Sequence, residues 1–199
     1  MIEFNEISTL VSDAVLGVAA LTMSRGMRNS NWRIFFIFMG VSALLGAIGH
    51  GFLFTLSTSF RILAWNFLAV AIFFGEMAAF DHLGKSTKWI VYTLMGKVIL
   101  VIGLSWVYRS FTISIINAGI GFLGIVLGIY AYTYSKSRDK SKWIIAGALS
   151  IIFPALVFWL DVNAIPKYLN ANDLGHYLTI IPLYFIYRGA RFPNVLNDR

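Results

Sequence analysis

Long apolar stretches recur along this chain with only short polar breaks, and no other feature narrows its fold as much. A helix needs about 20 mostly apolar residues, each rising about 1.5 Å, to cross about 30 Å of hydrocarbon. Seven stretches meet that need, at 7–25, 33–56, 59–80, 88–108, 111–134, 142–161 and 173–190. Residues 7–25 are interrupted by Ser12 and Asp13, and the start of 173–190 is short of apolar residues. The stretches fill most of the 199 residues, so 1–199 reads as one all-α, integral-membrane seven-helix bundle with no separate soluble domain. Short connections predict that successive helices are antiparallel neighbours.

Composition agrees with the membrane reading. Charged residues make up 13% of the chain, about half the 25% typical of soluble domains. Mean hydropathy is +0.75. Cysteine is absent, which excludes disulfides and thiolate metal sites. The acidic start Met1-Ile2-Glu3-Phe4-Asn5-Glu6 lacks the basic region of a secretory signal, so the first apolar stretch is expected to persist as a helix.

Lysine and arginine in the connections set the expected orientation. Arg25, Arg28, Arg33, Lys85, Lys88, Lys136, Arg138, Lys140, Lys142, Arg188, Arg191 and Arg199 fall on one side, 12 of the 16 basic residues. The other side holds Arg61, Arg109 and Lys167, with Glu3 and Glu6. The basic side is expected to be cytoplasmic, which gives the amino terminus outside and the carboxyl terminus inside. A basic face of this kind attracts anionic headgroups, so membrane lipids are the expected partners. The net charge of +7 is no argument for nucleic acid, because no groove with stacking aromatics accompanies it.

Ionisable side chains inside apolar spans are costly and are site candidates by default. Asp13, His50, Asn66, Asp161, Asn163, Asn172, Asp173 and His176 all fall in the half expected to face outward. His50 stands among Gly46, Gly49 and Gly51, which let a neighbouring helix approach closely. Asn172 and His176 are four residues apart and share a helix face, so His50 and His176 can meet across the bundle. Each residue also has an ordinary explanation. Asn172 or Asp173 is a natural cap for the seventh helix, Asp161 and Asn163 adjoin the connection containing Pro166, and Asp13 can sit at the interface on a frayed first helix. Glu76 and Lys97 are expected to form a buried ion pair between helices three and four, because a lysine leans towards its helix amino terminus; a proton relay is the alternative. His82 falls in a connection and is expected to be solvated.

With His50 and Asn172-Asp173-Leu174-Gly175-His176 in place, followed by Tyr187-Arg188-Gly189-Ala190, the chain resembles the seven-helix superfamily of alkaline ceramidases and progestin/adiponectin receptors. It is most similar to bacterial ceramidase-like membrane proteins of unassigned function, which implies a bacterial inner-membrane location. Hydrolases of the superfamily hold zinc through a histidine late in helix two and two histidines opening helix seven. Carried over, the metal positions are His50, His176 and Asn172, with asparagine where the third histidine belongs. The family serine position is Gly46, with Ser42 a turn away. The family aspartate early in helix three has no counterpart, Asn66 being the nearest polar residue. Asp13 and Asp173 become the candidate catalytic carboxylates, either of them able to complete a rearranged zinc site.

The resemblance therefore implies a zinc-dependent hydrolase of a lipid amide or ester, in which metal-activated water attacks the carbonyl. The alternative is a non-catalytic receptor-like bundle that binds a lipid or small molecule. A transporter is a third reading, weakened by the lack of an internal repeat although Pro154 and Pro182 can kink two helices. Haem held between His50 and His176 is a fourth.

Overall fold

The computed structural model describes residues 6–51, 57–137, 141–165 and 169–191. Glu3, Arg138, Lys140, Lys167 and Arg199, used in the charge argument above, lie outside the described residues, as does Pro166. Every regular element among the described residues is helical, and the helices follow one another as seven rods. These are α1 (Ile7–Ser24), α2 (Ser30–Gly51), α3 (Ser57–His82), α4 (Lys88–Tyr108), α5, α6 and α7 (Ala171–Ala190). α5 starts as Thr112–Ala118, winds as a π-helix over Gly119–Val126 and continues as Leu127–Ser137. α6 consists of Lys142–Ser150 and Ile152–Trp159. Among the described residues, six helices are long and apolar enough to cross a membrane: α1, α2, α3 over Thr58–His82, α4, α5 over Thr112–Lys136, and α6 over Lys142–Trp159.

Local chemistry explains the boundaries. α2 begins three residues earlier than the apolar pattern predicts, because the Asn29 side chain accepts the Trp32 amide at 2.9 Å. Gly84, at φ 67°, makes the left-handed turn after α3, and Arg109, at φ 49°, closes α4. α3 runs on to His82, which is therefore a helix residue and not a solvated loop residue. Its ring stacks on Tyr130 at 4.4 Å and bonds the Thr133 hydroxyl at 3.1 Å. The break in α6 follows from Pro154, whose ring opposes the carbonyl four residues back, at Ser150. α6 ends at Trp159, before the predicted 161, and Asp161 then takes a left-handed turn at φ 48°. Asp161 and Asn163 are exposed, as the ordinary reading expected, with the Asn163 amide on the Asp161 carbonyl at 2.9 Å.

Consecutive helices pack on one another, and α7 closes the bundle against α1. Trp32, Phe35 and Phe36 of α2 form the centre of the core, with Ile72 of α3, Phe122 and Val126 of α5, and Ile186 of α7. Phe35 lies 5.5 Å from the Phe122 ring. Glycines bring backbones together where the sequence has none to spare. A β-carbon at Gly17 of α1 would lie 3.1 Å from the Gly40 carbonyl of α2, and one at Gly147 of α6 would lie 2.9 Å from the Pro182 carbonyl of α7. α4 is the peripheral helix: only Leu94, Val101 and Ser105 are buried, while Trp89, Ile99, Leu100 and Val107 are exposed.

Candidate functional site

Three polar residues of α1 lie on its packing face. Thr9, Ser12 and Asp13 are buried at 0%, 0% and 5% exposure. Spaced three and four apart they fall on one side, and that side meets α7. The interruption that weakens the apolar pattern of α1 is the feature that docks it, and α1 is regular there, not frayed.

Asp173 of α7 is 1% exposed, and both of its oxygens accept hydrogen bonds within the protein. Oδ1 takes the Thr9 hydroxyl at 2.6 Å, and Oδ2 takes the Asn170 amide N–H at 3.0 Å. Asn170 returns the bond, its Oδ1 accepting the amides of Asn172 at 2.8 Å and Asp173 at 3.0 Å. This is a capping box, so the cap of α7 is Asn170, two and three residues before the Asn172 and Asp173 expected from sequence. The Asn170 Nδ2 also donates to Thr9 Oγ1 at 3.1 Å, which ties the cap to α1. Asn170→Ala is expected to lower stability by about 1–2 kcal/mol, the usual cost of losing a cap, measurable as reduced thermal stability in detergent.

His176 lies one turn along α7 and spans two neighbours on α1. Its Nδ1 is 3.0 Å from Ser12 Oγ and its Nε2 is 3.3 Å from Asp13 Oδ1. Ser12 has a single proton and donates it to the Thr9 carbonyl at 3.1 Å. Serine, histidine and aspartate follow one another in the order of a hydrolytic triad, with Ser12 fully buried and its hydroxyl also on the Thr9 carbonyl.

His50 ends α2 on the same side. Its Nδ1 is 2.6 Å from Glu6 Oε2, and its carbonyl accepts the Glu6 amide at 3.3 Å, which fastens the start of α1 to the end of α2. His50 and His176 lie within Coulombic reach of each other, as Asp13 does of Glu6 and Asp173. Gly46, one turn before His50, makes room for the carboxylate: a β-carbon there would be 2.9 Å from Asp13 Oδ2.

Among the candidates named from sequence, the structure brings together Asp13, His50, Asp173 and His176 at the junction of α1, α2 and α7. Asn172 lies elsewhere. It lines a groove of about 260 Å³ with Phe158, Asp161, Asn170 and Ala171, between the ends of α6 and α7. Asn66 is half-buried on α3, with an Oδ1 that has no hydrogen-bond partner among the described residues. Glu76 and Lys97 form the expected ion pair, the glutamate fully buried. Glu6, Thr9, Ser12 and Asn170 were not among the candidates. The signal for them was periodic: Glu6, Thr9 and Asp13 repeat at helical spacing, as do Asn170, Asp173 and His176.

The positions carried over from the resemblance as zinc ligands are engaged within the protein. Both His176 nitrogens and the His50 Nδ1 have protein partners, and Asn172, in the third position, offers a neutral amide at the α6–α7 groove. Among the described residues, no three His, Cys, Asp or Glu side chains are grouped so as to hold a metal ion. A model of a family of unknown function, DUF6962, matches residues 8–194, and the chain belongs to that family. No curated protein and no solved structure matches it.

Proposed function

We propose that this member of a family of unknown function is a seven-span membrane protein, amino terminus outside, that binds a small neutral amphiphile at the outward ends of α6 and α7. The orientation rests on the basic residues of the connections. α7 is taken as the seventh span because Asp173 and His176, which lower its apolarity, turn towards α1 and away from lipid. A bacterial inner membrane is the location this reading carries.

The observation behind the binding reading is the position of Asn170. It lines the groove with Asn172, Asp161 and Phe158, and it is also bonded to Thr9 and Asp173. A hydroxyl, amide or ester headgroup has amide donors and acceptors to meet in that groove. Its acyl chain can lie along Phe153, Leu156 and Trp159 of α6, which are 64%, 45% and 69% exposed. Occupancy would then bear on the α1–α7 junction through a single side chain.

Titration of the purified protein with a monoacylglycerol or an N-acylethanolamine, followed by tryptophan fluorescence, tests this. A saturable shift is expected in the wild type, and its loss in a folded Asn172→Leu variant. No saturable response in the wild type overturns the proposal.

The zinc-hydrolase reading keeps one point in its favour, that His50, His176, Asp13 and Asp173 converge on one junction. It requires His176 to release Ser12 or Asp13. Elemental analysis decides between the two. The binding reading expects no stoichiometric zinc, whereas bound zinc that disappears in His50→Ala, with fatty acid released from the same amphiphiles, would replace it.

A further inference from the structure

A second set of buried polar groups lies away from the α1–α2–α7 junction, on the facing sides of α3, α4 and α5. Glu76 is fully buried; its Oε1 receives the Lys97 ammonium, and its Oε2 has no hydrogen-bond partner among the described residues. Gly121, in the π-helical stretch of α5, lies directly against this carboxylate: a β-carbon there would be 2.9 Å from Glu76 Oε1. On α5, Ser114 and Asn117 precede Gly121 by seven and four residues and share its face. They are 1% and 2% exposed, and neither the serine hydroxyl nor either end of the asparagine amide has a partner among the described residues. On α4, Ser105 is fully buried and equally unpartnered, two turns from Lys97 along the same face, with buried Val101 between them.

The register places these groups as a ladder. Ser105 lies three residues before the end of α4 and Ser114 two residues after the start of α5, so both sit just inside the α4–α5 connection. Asn117 lies about one turn deeper, and Gly121 with the Glu76–Lys97 pair about one turn deeper again. Unpartnered buried hydroxyls and amides are rare, because each forfeits the hydrogen bonds it would make in water. Three helices supplying such groups at successive depths, ending on a buried ion pair, is not a pattern that packing alone favours. The π-helix adds to it, since irregular turns of this kind collect at functional positions in helices.

We propose that α3, α4 and α5 enclose a second polar site whose ligand is water. The site runs from the α4–α5 connection past Ser105, Ser114 and Asn117 to Glu76 and Lys97. Water there satisfies the serine and asparagine side chains and the free Glu76 oxygen. It also lets the Lys97 ammonium exchange protons with the solvent, one proton leaving for water as another returns, so the ion pair is an exchangeable proton site and not a sealed structural bond. This inference is independent of the amphiphile reading, which concerns other helices.

The chain contains no cysteine, so a single introduced thiol gives the only S–H infrared band, and its conversion to S–D on transfer to heavy water reports contact with water itself. Ser114→Cys and Ser105→Cys, conservative changes on two different helices, are expected to lose the S–H band at least about tenfold faster than Ala71→Cys in the dry core. Val101→Cys, between Ser105 and Lys97, is expected to exchange with them. Bands at 105 and 114 that persist as long as the band at 71 overturn the proposal. Exchange at 105 and 114 without exchange at 101 overturns its extension to the ion pair.

Discussion

Replacing Glu76 with alanine is expected to destabilise the bundle by about 3–5 kcal/mol, because it leaves the Lys97 ammonium without its counter-charge in the protein interior. For a chain of this length the loss should lower the melting temperature by on the order of 10 °C. The pair is asymmetric, and that sharpens the expectation. Glu76 is fully enclosed, whereas the Lys97 side chain retains 18% exposure on a helix that is mostly lipid-facing. A lysine on a peripheral helix can extend its stem towards an interface when its partner is lost, but a glutamate at 0% exposure has nowhere to go. Lys97→Met is therefore expected to cost at least as much as Glu76→Ala. The double variant Glu76→Leu/Lys97→Met should recover most of the loss, since a buried ion pair exchanged for apolar groups of similar volume is often close to neutral. Thermal unfolding of the four proteins in one detergent measures this. A double variant no more stable than either single variant would mean that the two side chains do not stabilise each other.

That pair was legible in the sequence for a geometric reason. Antiparallel neighbours of known span place Glu76 and Lys97 at compatible depths, and the lean of a lysine along its helix supplies the direction. The apolar spans were legible too, with α4 recovered at both ends because Thr87 caps it and Arg109 closes it. Less of the junction of α1, α2 and α7 could be read. Asp13, His50, Asp173 and His176 stood out as ionisable groups in apolar surroundings, but Thr9, Ser12 and Asn170 are uncharged and pass as ordinary helix or loop residues. What identifies them is a partner more than 160 positions away, as Thr9 has in Asp173. The placement of Asn172 with His50 and His176 rested on helical spacing alone. Spacing gives the angle between side chains on one helix, but not which neighbouring helix each side chain meets. Neither the π-helix of α5 nor the burial of His82 against Tyr130 has a local sequence signal, since both depend on how α5 packs on α3.

His176 is the residue on which the junction depends most. His176→Ala removes the partner of two α1 side chains at once, and it leaves Asp13 at 5% exposure without its imidazole partner. A loss of about 3–5 kcal/mol is expected, as for other buried pairs broken from one side. Asp13→Ala should cost a similar amount by leaving the His176 Nε2 without its partner on α1. If the two act as one unit, the double variant will lose less than the sum of the singles, by about 0.5–3 kcal/mol of coupling. Gly46→Ala separates geometry from charge, because it keeps both partners and removes only the space. Its added carbon would fall 2.9 Å from Asp13 Oδ2 and 3.2 Å from Asp13 Cγ, on a carboxylate held between α2 and α7. The carboxylate must move away from His176 or α2 must move outward, so Gly46→Ala is expected to destabilise wild type and to have a smaller effect in the Asp13→Ala background, where the obstructing group is gone. A cost at Gly46 that is unchanged by Asp13→Ala would show that the glycine serves the approach of α1 to α2 alone, and that Asp13 is held by His176 without help from α2.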